Sequence, residues 1–246
     1  MAKLLIGTSG WNYDGWKGRF YPRKFSSNRY LQFYAQEFGS AEVNYSFYRL
    51  PSVATYEKWH GQVPENFIFA LKVSRFISHI KRLSGVEQAW QTFVDNALTL
   101  GEKLGPLLLQ FPESFHRDDE RLETFLSSAQ EAASGKAALR LAFEFRHDSW
   151  FEEAVYEILR KHNAALCIAD SPDYPRDDVV TADFAYIRYH GRTDLFASSY
   201  SNAELKKEAR IIGAFLKDDI DVYVYFNNDV NAHAIFNART LRELVQ

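Results

Sequence analysis

Eight short apolar runs recur along the chain: KLLIGTS, SAEVNYSFY, FIFALKVS, PLLLQFP, LRLAFEFR, AALCIAD, FAYIRYHG and DVYVYFNN. Longer amphipathic patterns lie between them, at about 28–38, 52–60, 86–103, 118–133, 149–162, 201–217 and 231–245. This rhythm is the tightest constraint in the sequence. A strand that returns beside its predecessor after a helical crossover must run parallel to it, and such crossovers wind with one hand. Eight units of this kind predict an α/β fold, a TIM-type (β/α)8 barrel, with a doubly wound open sheet as the alternative. The strands are expected to end near Ser9, Ser46, Ser74, Phe111, Arg146, Asp170, His190 and Asn228.

Several boundaries carry capping chemistry. Ser52, Asp118 and Ser149 can each accept a hydrogen bond at a helix N-terminus, and Gly105-Pro106 stops one helix before the next strand. The sixth crossover, SPDYPRDDVVTAD at 171–183, holds two prolines and no apolar helical face, so the sixth helix is expected to be short or missing. A length of 246 residues suits one barrel, and no linker or repeat divides it, so a single domain over 1–246 is expected.

In a strand alternate residues share a face, so Glu144 and Arg146 point together while Phe143 and Phe145 point oppositely. In a barrel the polar pair then faces the axis at the C-terminal mouth, where such barrels place their active sites. Other strand ends supply polar groups as well: Thr8, Asn44, Lys72, Gln110, Asp170, Arg188 with His190, and Asn227 or Asn228. So many polar intrusions into a core are costly unless they satisfy one another or bind something. Glu144, Asp170, His190 and Lys72 are the candidate catalytic residues, by virtue of their proton chemistry. Trp11, Asn44, Gln110, Arg146, Arg188, Arg192, Asn227 and Asn228 are the candidate ligand-binding residues. The bland alternative is internal pairing, Glu144 with Arg146 and Lys72 with Asp170.

The aromatic loops SGWNYDGWKGRFYP and NYSFYRLP place rings beside the expected mouth, either as a packed lid or as stacking surfaces for sugars or bases. The segment GRTDLFASSY follows the seventh strand, where barrel enzymes often hold phosphate, and Arg188, Arg192 and the Ser198-Ser199 pair supply donors there. A formal charge of −3 denies the chain a global positive field, so a small anionic or polyhydroxyl ligand is favoured over nucleic acid. No HExxH, CxxC or paired-histidine spacing occurs; no metal or other cofactor is predicted, a divalent ion being the lesser alternative. Cys167 sits in an apolar run and reads as a small core residue. The N-terminal apolar run is too short for a signal peptide and no span of about 18 apolar residues occurs, so a cytoplasmic location without membrane contact is expected. Nothing in the sequence indicates a protein partner.

Taken in order, GTSGW at 7–11, EVNYSFY at 42–48, the lysine of FALKVS, LLLQFP at 107–112, EFRHDSW at 144–150, RYHGR at 188–192 and YFNND at 225–229 resemble the YecE-like family, known as domain of unknown function 72. The resemblance implies a TIM barrel of unestablished activity, with similarity to barrels that act on sugars or on abasic nucleic acid. Tyr45 departs from it, standing where the family often has a small residue. Two functions remain in view. One is an enzyme (hydrolase, lyase or isomerase) acting on a phosphate- or sugar-containing ligand by acid/base chemistry. The other is a non-catalytic barrel that binds a nucleotide, sugar phosphate or nucleic acid. Glu144 and His190 both locked in ion pairs would favour the second.

Overall fold

Small and polar residues alternate with large apolar ones along most strands, and that alternation builds the wall. The computed structural model describes residues 1–135 and 137–245. Its strands are β1 (Leu4–Thr8), β2 (Ser40–Val43), β3 (Ile68–Lys72), β4 (Leu104–Gln110), β5 (Leu141–Glu144), β6 (Ala165–Asp170), β7 (Phe184–Tyr189) and β8 (Asp221–Phe226). All pair in parallel in the order β1-β8-β7-β6-β5-β4-β3-β2. Ala70, Leu108, Ala142, Cys167, Ala169, Tyr186 and Tyr225 point inward and form one buried cluster. Leu107, Leu109, Phe143, Leu166 and Ile168, one position out of step, join the larger core beneath the helices. Cys167 is a buried core residue.

The helices are α1 (Tyr30–Tyr34), α2 (Tyr45–Tyr48), α3 (Val53–Gln62), α4 (Glu87–Ala97), α5 (Asp119–Ala129), α6 (Glu153–Lys161), α7 (Asn202–Lys217) and α8 (His233–Val245). The fold is the expected TIM type, and residues 171–183 between β6 and β7 form no helix. Ser52 and Asp118 cap α3 and α5 by accepting from the Thr55 and Arg121 amides. Ser149 does not cap α6. It lies inside a 3-10 turn, Asp148–Trp150, capped by His147, and its hydroxyl accepts from the Arg117 amide instead. SAEVNYSFY is also not a strand throughout: β2 stops at Val43 and Tyr45–Tyr48 turn into α2. A π-helical turn, Phe76–Ile80, follows β3 and carries His79.

The sheet closes between β1 and β2 by a different device from the other seven contacts. Near the top, Ser9 bridges Glu42 and the Gly10 amide donates to the Glu42 carbonyl at 2.7 Å. Below that, the Tyr34 hydroxyl inserts into the seam, accepting from the Thr8 amide at 2.8 Å and donating to the Ser40 carbonyl at 3.0 Å. The backbones approach so closely here that a Cβ on Gly7 would lie 2.1 Å from the Ser40 oxygen, so only glycine fits. Among the described residues, no helix is long and apolar enough to cross a membrane.

Candidate functional site

Inward-pointing residues at the C-terminal ends of the strands form one charged network, with Arg188 at its centre. The Arg188 side chain emerges from β7 and is 0% exposed. Its Nε and Nη2 grip Glu42 in a fork, at 2.9 and 2.8 Å, while Nη1 donates to Glu144. The carboxylates supply what a buried guanidinium requires: charge and acceptors together. Glu42 also accepts from Ser9 and, at 2.7 Å, from the Tyr186 hydroxyl. Burial opposes its charge, but Arg188 and these donors hold its carboxyl below the ordinary value. For Glu144, burial is outweighed by Arg188, His190 and Arg146, and the carboxyl lies well below the usual range.

Arg146 donates to Glu144 at 3.1 Å through Nε and to the Tyr174 hydroxyl at 3.0 Å through Nη1, with its guanidinium 4.0 Å from the Tyr174 ring centre. Tyr174 belongs to the loop that stands in place of a helix between β6 and β7; an irregular segment is what brings its ring over the mouth. His190 is buried with Nε2 3.6 Å from Glu144 and Nδ1 3.1 Å from the Asn227 amide nitrogen. That arrangement suits a neutral ring with Nδ1 accepting. Burial and the Arg188 charge push its pKa down, against the pull of Glu144. Asn44 donates to Ser9 at 2.9 Å and so joins the Glu42 side.

Lys72, at the end of β3, differs from the other cations. It makes no ion pair with a described carboxylate, and its Nζ lies 4.3 Å from the centre of the Phe47 ring. Burial, reinforced by repulsion from Arg188, pushes its pKa down to about 7 in spite of Glu144 and Glu42. His79 is pushed down to about 4 by burial and by Lys72 and Arg146. Gln110 donates to the Phe111 carbonyl at 2.7 Å and approaches His79 at 3.5 Å.

The structure thus gathers Asn44, Glu144, Arg146, Arg188, His190 and Asn227 into one linked network, with Lys72 and Gln110 beside it. Asp170, Arg192 and Asn228 lie elsewhere. Asp170 is on the outward phase of β6, bonded to Arg176, Arg192 and Tyr200, and Arg176 and Arg192 continue to Glu208 on α7. Asn228 donates to the Ser198 carbonyl and to Asn237 of α8. The predicted Lys72–Asp170 pair is therefore absent. Of the donors expected after the seventh strand, Arg188, Arg192 and Ser199 are engaged within the protein, Ser199 donating to Asn237, while Ser198 Oγ accepts from the Thr193 and Asp194 amides. Among the described residues no three His, Cys, Asp or Glu side chains gather to hold a metal ion.

Glu42, Ser9, Tyr186 and Tyr174 are network members that the strand-end reading missed. The signal for two of them was present, since Glu42 and Asn44 are two apart on one face and Ser9, not Thr8, shares the inward phase of Leu5 and Gly7. The aromatic loops divide. Trp16, Phe20, Tyr21 and Phe47 are buried, whereas Trp11, Tyr13, Tyr45, Tyr48 and Trp59 line a cleft of about 490 Å³ beside the network, which it meets at Asn44.

This chain is similar to UPF0759 protein YunF of Bacillus subtilis, 24% identical over 98% of this chain and 94% of that protein. UPF0759 protein YecE of Escherichia coli is 25% identical over 67% of this chain and 68% of its own length. Among solved structures, a DUF72 family protein from Thermotoga maritima superposes with a TM-score of 0.85 at 28% identity, covering 99% of both chains. One from Enterococcus faecalis gives 0.80 at 21% identity, over 100% of this chain and 98% of that one, and shares the fold. The family model described as protein of unknown function DUF72 matches residues 5–246, and this chain belongs to that family.

Proposed function

We propose that this protein is an enzyme that transfers protons on a small phosphate- or sugar-containing ligand at the C-terminal mouth of the barrel, with Lys72 as the proton carrier. The observation that carries this reading is Lys72 itself. Every other inward charge at the mouth is paired, while Lys72 has no carboxylate partner and a pKa near 7. A lysine in that condition is neutral in a large fraction of molecules at physiological pH and can accept a proton, which an ordinary lysine cannot. Arg146 spends Nε and Nη1 within the protein, and its Nη2 has no partner among the described residues. It is the guanidinium suited to a phosphate or a developing oxyanion. Arg188 has its donors engaged and acts as a positioning residue for Glu42 and Glu144.

One observation favours the non-catalytic alternative, a barrel that binds a nucleotide, sugar phosphate or nucleic acid. Glu144 and His190 are both held within the network, Glu144 by two arginines and His190 between Glu144 and Asn227. Incubation with a panel of sugar phosphates and sugars in deuterated water, read by mass spectrometry, separates the two readings. Catalysis predicts a ligand that gains deuterium or changes mass, at a rate that rises with pH through about 7 as Lys72 loses its proton. Lys72→Met abolishes that change. A ligand retained but chemically unaltered by the wild type assigns the mouth to binding alone.

A further inference from the structure

We propose that the aromatic cleft beside the mouth binds a neutral saccharide chain, with Tyr45 and Tyr48 as ring platforms. This rests on the reading that the C-terminal end of the barrel takes a small ligand, and it names the part of that ligand held away from the axis. The cleft, at about 490 Å³, is in the size range of specific small-molecule sites. Five rings line it: Trp11, Tyr13, Tyr45, Tyr48 and Trp59. Tyr45 is 48% exposed and Tyr48 79%, an unusual display of aromatic surface in a chain that buries most of its other rings.

The polar lining says what kind of ligand fits. Asn12, Asn28, Asn44 and Gln62 supply amides, Ser27 and Thr55 supply hydroxyls, and Lys58 is the one charged side chain among the lining residues. Amides both donate and accept, which suits ligand hydroxyls; a single exposed lysine does not make a polyanion site. Asn44 adds a specific demand. Its Nδ2 is used by Ser9, while its buried Oδ1 has no donor among the described residues, and a ligand O–H would satisfy it. Because Ser9 continues to Glu42 and Arg188, that contact would join the cleft to the charged network.

Ring geometry separates saccharide from nucleobase. Trp11 and Trp59 meet at 88° with centroids 5.5 Å apart, and Tyr45 and Trp59 at 85° and 6.4 Å. A flat base is best held between parallel faces. Consecutive sugar rings each present their own C–H face, and perpendicular platforms accommodate them.

Saturation-transfer NMR with cellotriose, maltotriose, xylotriose and N-acetylchitotriose tests the proposal, with adenosine and a thymidine trinucleotide as competing probes. At least one trisaccharide should bind at concentrations up to about 10 mM. Tyr45→Ala should weaken that binding about fivefold and Tyr48→Ala by less. Both tyrosines are exposed, and an unchanged denaturation midpoint establishes that the variants fold. The proposal is overturned if none of the four trisaccharides binds, if both tyrosine variants keep the wild-type affinity, or if adenosine or the trinucleotide binds in their place. Saccharide binding without any deuterium or mass change would leave the cleft assignment standing and remove the catalytic one.

Discussion

The barrel holds two arginine–carboxylate networks on opposite sides of the same wall. Inside, Arg188 joins Glu42 and Glu144, with Arg146 beyond. Outside, Arg176 and Arg192 share Asp170 and Glu208 beneath α7. The chemistry is nearly identical, but the surroundings are not. The outer network pins the loop of residues 171–183 and the loop after β7 to a helix, and each of its charges has an opposite partner. The inner network is flanked by Lys72, which has none. Pairing therefore fixes the loops in one place and, in the other, frames a residue left with chemistry to spare. The loop at 171–183 touches both, Arg176 gripping the outer network while Tyr174, two residues earlier, covers Arg146.

The largest expected effect comes from breaking the inner centre. Arg188→Met leaves Glu42 buried without its cation and Glu144 with Arg146 alone, and should destabilise the fold by about 3–5 kcal/mol in chemical denaturation. In the wild type, Glu144 and Glu42 have folded pKa values below the ordinary value near 4.5. Their contribution is present above that pH and is lost as pH falls through the depressed values. Acid titration should therefore narrow the gap between wild type and Arg188→Met.

Glu208→Gln attacks the outer network at its buried carboxylate and should cost about 1.5–3 kcal/mol. It should also raise the proteolysis rate within 171–183, and leave any activity at the mouth lowered only through Tyr174. Equal loss of activity in Glu208→Gln and Lys72→Met would erase the distinction between the two networks.

Lys72→Met should act in the opposite direction, stabilising the protein at neutral pH while abolishing activity. The folded pKa of Lys72, about 7, lies below its ordinary 10.5, so the unfolded chain binds the proton more strongly. The stability advantage of Lys72→Met should be absent above about pH 10.5, grow as pH falls, and be complete below 7. Denaturation midpoints across that range measure it. Tyr48→Ala, on the exposed lip of the cleft, should change stability by less than about 0.5 kcal/mol.

The strand count, their order and the absence of a helix between β6 and β7 were legible because periodicity records which side of a wall a residue faces. The site was only partly legible, since a polar residue after an apolar run does not by itself declare its phase. Asp170 and Asn228 follow their runs as Lys72 and Gln110 do, yet Asp170 is out of step with Ala165, Cys167 and Ala169 and points to α7. Following the small inward residues upward along each strand recovers Glu42 and Ser9 and rejects Asp170. Tyr174 had no such signal. Its position depends on the path of an irregular loop, which is set by Arg176 and by the Tyr156–Asp177 hydrogen bond.

The tyrosine-pinned seam gives the barrel a preferred direction of breathing. Along seven contacts the strands are held by backbone ladders; along the eighth, one phenol does much of that work. Amides next to the seam, such as Thr8, should then exchange with solvent through smaller openings than those in the middle of β7. The two lips of the cleft, Gly10 and Trp11 on one side and Val43 and Asn44 on the other, grow from the strands that meet there. A ligand that touches both lips works as a staple across the weakest line of the wall. Its affinity should be readable far from any catalytic atom, as slowed exchange along that line.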